Sequence, residues 1–231
     1  MLPNLTFLAN SFGSDKGDAV GNAHNFTVLY SFLLEAWRKD EFHMLELGLQ
    51  GGGGDPMVYL DPDRPTSDVP SVRMWLEFFP GAHCFGFDCS DFTHIKIPRF
   101  TFIRGNLSDR ADLARLASAV PPLRFVVDDA SHASYHQQSA FLKFFERLES
   151  NGLYVIEDLD YQPPYESQLP ACVKTSEIFD RFLTTGLLRF PYIEDKNAQK
   201  VAALIKNVFV HRQVCNGPNA GSMKLVAVQK A

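Results

Sequence analysis

Where an apolar, strand-like run stops after Phe125, Val126 and Val127, the chain places Asp128, Asp129 and then His132. A second apolar run, Tyr154-Val155-Ile156, stops in the same way at Glu157 and Asp158. Neighbouring parallel strands lie about 4.8 Å apart, so two acidic strand ends of this kind can face one space. Four carboxylates crowded together repel, and they either raise one another's pKa or hold a cation. A hard divalent ion with oxygen ligands, Mg²⁺ foremost, resolves that conflict. His132 falls in the loop that follows, and an imidazole is the side chain suited to taking a proton near neutral pH. Such a pair of metal and base would turn a substrate hydroxyl into a nucleophile. His136 follows His132 at i+4, but no HExxH accompanies it, so it stays outside the expected site.

Strands have to carry these residues. From about residue 42 onward apolar runs alternate with amphipathic ones, the pattern of a parallel sheet wound with helices. Strands are expected at 42–47, 84–88, 100–104, 123–128, 152–157, 205–211 and 222–229, and helices at 25–38, 70–79, 108–119, 134–149 and 173–185. Only "RQVCNGPNAG" separates the last two strands, which should therefore pair antiparallel. The expected fold class is α/β: a Rossmann-like, doubly wound seven-stranded sheet with one antiparallel strand and a C-terminal β-hairpin. In the helix at 134–149, Phe141, Phe144, Phe145 and Leu148 form a core stripe, and Asn151-Gly152 reads as its C-cap. Residues 1–40 are expected to be an N-terminal helical or lid segment, and 41–231 a single ligand-binding domain.

In such sheets ligands bind beyond the carboxyl ends of the strands. The first strand ends in Glu46 and Gly48, and Gly51, Gly52, Gly53 and Gly54 follow, residues that let backbone amides approach a ligand. The second strand ends in Asp88, an acid suited to a ribose diol. The dinucleotide fingerprint GxGxxG is absent, and a proline-containing loop precedes the next helix, which does not suit a pyrophosphate. A nucleoside without pyrophosphate fits both observations, and S-adenosylmethionine is such a molecule.

Composition narrows the function classes. At 231 residues, with 45% apolar and 21% charged residues, the chain is ordinary for a globular domain. A net charge of −5 without a basic run argues against nucleic acid as a partner. No segment reaches the roughly 18 apolar residues of a membrane span, and the first residues lack a signal-peptide pattern, so a cytoplasmic protein without membrane association is expected. Cys84, Cys89, Cys172 and Cys215 show no close pairing and read as reduced thiols. The expected partner is a small-molecule hydroxyl acceptor, and self-association into a homo-oligomer stays open.

The stretches "GSDKGDAVGNAHNFTVLY", "LELG", "SVRMWLEFFPGAHCFGFDCSDF", "FIRGNLSD", "VVDDASHASYHQQSAF" and "YVIEDL" occur in an order that resembles class I S-adenosylmethionine-dependent methyltransferases. Within that class they are similar to the metal-dependent sugar O-methyltransferases of macrolide and aromatic-polyketide antibiotic biosynthesis, the mycinamicin 2''-O-methyltransferase type. The resemblance implies Asp129, Glu157 and Asp158 as metal ligands and His132 as general base. It also implies Glu46, Gly48 and Asp88 as cofactor residues, with Asn106 and Asp128 at further cofactor positions and Lys16 and Arg73 toward the methionine carboxylate. The chain departs from the family at Ala130, where a glycine is common. Two other readings remain open on the residues alone. One is a metal-dependent hydroxylase or hydrolase, with His132, His136 and one carboxylate as an iron site; the other is a non-catalytic S-adenosylmethionine binder.

Overall fold

The computed structural model describes residues 3–21, 23–49, 61, 63–191, 193, 195–213 and 220–231. The glycine run Gly51–Gly54, most of the proline-containing stretch after it and Cys215 lie outside the described residues. The chain divides into two compact units, Met1–Gly105 and Asn106–Ala231, so the first forty residues belong to the first unit.

In the first unit α1 (Leu5–Phe12) and α2 (Thr27–Leu34) precede β1 (Phe42–Leu47), α3 (Pro70–Phe78), β2 (Ala82–Asp88) and β3 (Phe100–Arg104). The three strands pair in parallel, β1 with β2 and β2 with β3. Helix α1 starts at Asn4, whose side chain accepts from Phe7 N at 2.7 Å, and stops at Gly13 in the left-handed region. Pro70 opens α3, where its missing N–H leaves no orphan donor. Trp75 of α3 is fully buried edge-to-face with Tyr30 of α2, ring centroids 5.1 Å apart, and this pair anchors the N-terminal helices in the unit's core.

The second unit runs α4 (Arg110–Ala119), β4 (Leu123–Asp128), α5 (Ser134–Phe144), β5 (Leu148–Ile156), α6 (Thr175–Thr185), α7 (Asp195–Ala203), β6 (Ile205–Arg212) and β7 (Met223–Lys230). Strands β4 and β5 are parallel, while β7 is antiparallel to both β5 and β6. The sheet order is β3-β2-β1-β4-β5-β7-β6, a seven-stranded mixed sheet closed by the expected C-terminal hairpin. Phe141 is fully buried against Tyr154 and Phe179, at 5.2 and 5.5 Å, so the aromatic stripe of α5 is core as expected.

Two expectations change. Helix α5 ends at Phe144 and continues only as a 3₁₀ turn, Phe145–Arg147, before β5 begins at Leu148. Asn151-Gly152 is therefore no helix cap but lies inside β5, at a bulge. There β4 advances from Leu123 to Phe125 while β5 advances from Leu148 to Leu153. The extra residues need Asn151 at φ 64°, and a Cβ on Gly152 would stand 2.8 Å from the Arg124 carbonyl. Helices α1 and α7 had not been expected.

Candidate active site

The loop that leaves β4 and the loop that leaves β5 bring Asp129, His132 and Asp158 together. One ligand atom from each lies within 4.8 Å of the others. His132 Nε2 stands 3.9 Å from Asp158 Oδ2, and the His132 ring meets Tyr161 edge-on, centroids 5.8 Å apart. His132 and Asp158 both hold left-handed backbone angles, φ 57° and 51°. That conformation costs a residue with a side chain about 1 kcal/mol or more, and it persists where surrounding bonds impose it. The donor set fits a hard divalent cation: two carboxylates offer oxygen, and Mg²⁺ characteristically takes one or two protein carboxylates and completes its shell with water and substrate. Glu157, which the resemblance places among the ligands, follows β5 fully buried and next to Asp158, outside the trio whose ligand atoms lie within 4.8 Å of one another. Its backbone N–H donates to the Asp128 carbonyl and its own carbonyl accepts from Gln137.

Asp128 sits beneath this cluster in the core. Burial drives its carboxyl up to about 7, with the charge of Asp129 adding to the rise while the Ala130 N–H and the Tyr154 hydroxyl oppose it. Tyr154 Oη donates to Asp128 Oδ2 at 3.4 Å. His136 is separate from the cluster. Its Nδ1 is 2.7 Å from Ser131 Oγ and its Nε2 2.7 Å from Ser108 Oγ, so both ring nitrogens are bonded to hydroxyls. Burial lowers its pKa to about 4. A 2-His-1-carboxylate iron site needs a free nitrogen on His136, and this arrangement offers none. Asn106 lies exposed in the loop before α4, where its side chain accepts from Ser108 N and its N–H donates to Asp112.

At the carboxyl ends of β1 and β2 the first unit presents Glu46, Gly48 and Asp88. Gly48 turns the chain out of β1 at φ 85°, a conformation that favours glycine, and its N–H donates to the Phe87 carbonyl at 2.8 Å. Asp88 is held on both oxygens: Oδ2 accepts from Leu49 N at 3.0 Å and Oδ1 from Ser90 N at 2.7 Å. Arg64 also reaches Oδ1, at 3.5 Å, with both side chains nearly buried. Arg64 carries no readable signal beyond its place in the loop ahead of α3. Lys16 and Glu46 are 1% and 0% exposed and face each other at 3.8 Å. Charges this deep are tolerated only when paired. The loop that carries Lys16 is closed by backbone bonds from Thr27 to the Lys16 carbonyl and from Asn25 to the Gly17 carbonyl. Arg73 is placed differently: half-exposed on α3, its Nε donates to Asp68 Oδ1 at 2.7 Å in a surface ion pair.

Among the described cysteines Cys84, Cys89 and Cys172 are outside any disulfide, and burial raises the pKa of each, Cys172 to about 11, which favours the protonated thiol over the thiolate. No helix among the described residues is long and apolar enough to cross a membrane.

No protein-family model matches the chain. Over 214 residues, 91% of this chain and 53% of the relative, it is 31% identical to the 8-demethyl-8-alpha-L-rhamnosyl tetracenomycin-C 2'-O-methyltransferase of Streptomyces olivaceus. Over 168 residues, 72% of this chain and 39% of the relative, it is 32% identical to the mycinamicin VI 2''-O-methyltransferase of Micromonospora griseorubida. A solved structure of the MycE methyltransferase from the mycinamycin biosynthetic pathway, in complex with Mg, SAH and mycinamycin VI, superposes with a TM-score of 0.73 at 25% identity. That match covers 99% of this chain and 55% of the other. The chain thus spans about half the length, or less, of the relatives it matches. Across the stretch they share, it has the MycE methyltransferase fold and is similar to sugar O-methyltransferases of macrolide and polyketide pathways.

Proposed function

We propose that the chain is an S-adenosylmethionine-dependent, Mg²⁺-dependent O-methyltransferase whose acceptor is a hydroxyl on the sugar of a glycosylated small molecule. The observation that carries this reading is the convergence of Asp129, His132 and Asp158, two of them on strained backbone. A divalent cation held by Asp129 and Asp158 would orient a substrate hydroxyl and make it more acidic. His132 Nε2, beside Asp158, takes the hydroxyl proton. When bound, the donor would supply the methyl carbon at which the acceptor oxygen displaces sulfur, the new O–C bond forming as the old S–C bond breaks and its electron pair leaving on the thioether. Asp88, fixed by two amides and Arg64, is the candidate grip on the donor's ribose, and Lys16 with Glu46 supports the donor end of β1. Tyr161, part-exposed beside His132, offers a ring face to the sugar. The names of the relatives, which specify O-methylation of a rhamnosyl tetracenomycin and of mycinamicin VI, support a glycoside acceptor.

The test is methyl transfer from labelled S-adenosylmethionine to rhamnosyl tetracenomycin or mycinamicin VI with Mg²⁺ present. His132→Ala should lower kcat by about 10²–10⁴-fold and leave the calorimetric affinity for S-adenosylmethionine unchanged. Turnover untouched by that substitution would remove His132 from the mechanism.

A further inference from the structure

We propose that His136 is a positioning residue: by bridging Ser131 to Ser108 it sets the Asp129–His132 loop in the shape that binds a divalent cation. The inference rests on the metal reading of the cluster given above. Ser131 lies between Asp129 and His132, and three bonds converge on it. His136 Nδ1 meets its hydroxyl at 2.7 Å, Ala133 N donates to the same oxygen at 3.3 Å, and Tyr165 Oη donates to its carbonyl at 2.9 Å. The next residue, His132, is the one held at φ 57°. A left-handed residue with a side chain stays so only where its neighbours over-determine it, and Ser131 is where those constraints enter.

The far end of the bridge explains why a histidine does this work. His136 Nε2 reaches Ser108 Oγ at 2.7 Å, in the loop that leads through the Asp109 cap into α4. A serine at 136 could hold one hydroxyl at most in this geometry; the imidazole spans both, because a neutral ring carries one N–H and one lone pair on opposite sides. His136 is itself 5% exposed and rises from the first turns of α5, so its ring moves little. The metal loop is thereby tied to two helix starts, those of α4 and α5, in place of relying on its own short turn. Tyr165 adds a third tether from the segment that follows Tyr161, and Glu166 beside it accepts from Ser134 N at 3.2 Å.

Mn²⁺, a paramagnetic stand-in for Mg²⁺, gives a readout independent of turnover. Its binding to the full chain can be followed by electron paramagnetic resonance for the unmodified protein, Ser131→Ala, Ser131→Thr and His136→Gln. Ser131→Ala should weaken Mn²⁺ by about 10–100-fold, as loss of a partner behind a metal ligand does, while calorimetry shows S-adenosylhomocysteine binding as before. Ser131→Thr keeps the hydroxyl and should restore most of the affinity; His136→Gln should fall between the two. Lower thermal stability with undiminished Mn²⁺ affinity in Ser131→Ala would mean a purely structural bridge and would overturn the inference alone. Absence of Mn²⁺ binding by the unmodified protein would overturn the metal reading and the inference with it.

Discussion

His136 carries a hydroxyl at each ring nitrogen, so a proton added to it makes both nitrogens donors and turns the hydroxyl that had been donating into an acceptor, its O–H losing the ring as partner in a buried place. Its pKa is about 4 in the folded chain against 6.5 ordinarily, because burial disfavours the charged ring. The unfolded chain therefore binds the proton first as pH falls. Stability is fully present above about 6.5 and is lost toward pH 4, by about 3 kcal/mol in total. Asp128 acts in the opposite sense: its folded pKa is raised to about 7, so its contribution is present below the ordinary 3.8 and is lost as pH rises through 7. The two oppose each other over nearly the same window, so a single pH curve hides both. The difference between urea stabilities of the unmodified protein and His136→Gln isolates the histidine, and it should shrink as pH falls from 6.5 to 4; a constant difference would contradict the assignment. At this scale the sequence showed which residue types gather, since Asp129, His132 and Asp158 follow strand ends directly. It did not show which are already spent. Nothing in the i+4 spacing of His132 and His136 reveals two serines on the second ring, and nothing near Arg73 advertises Asp68 except proximity.

The strands were legible because each is an apolar run long enough to cross a sheet and short enough not to be a helix. The end of α5 was misread for a physical reason. Phe141, Phe144, Phe145 and Leu148 keep helical spacing through a 3₁₀ turn and into the first residue of β5, so periodicity alone cannot locate the break. Helix α1 did carry readable signals, Asn4 ahead of it and Gly13 behind. Helix α7 carried fewer, with Ala198 and Val201 as its buried apolar residues among those described. The bulge in β5 yields a sharp expectation. A methyl on Gly152 would meet the Arg124 carbonyl at 2.8 Å and the Glu149 carbonyl at 2.9 Å, both backbone and unable to swing aside. Gly152→Ala should cost about 1–3 kcal/mol by urea denaturation, and a neutral result would mean that the strands re-register around it. Because β5 delivers Asp158, such a slip should also weaken metal binding.

At the scale of the molecule, the acidic cluster belongs to the unit Asn106–Ala231 and the Lys16–Glu46 and Arg64–Asp88 pairs to the unit Met1–Gly105. Ligands should then act on the two differently. Mg²⁺ at about a hundred times its Kd should stabilise the unit that holds it by about 2.7 kcal/mol, a rise of roughly 5–10 °C. A chelator should reverse that rise, and calorimetric scans with and without Mg²⁺ that coincide would count against the cation. The order of the strands has a consequence for how the chain is made. Strand β7 is hydrogen-bonded to β5 on one side and to β6 on the other, yet it is translated after both. Until residues 223–230 are in place, β6 lacks the neighbour that holds it, its Val208, Phe209 and Val210 open to any passing strand. Chains that have not yet docked β7 are the ones for which a chaperone should matter most.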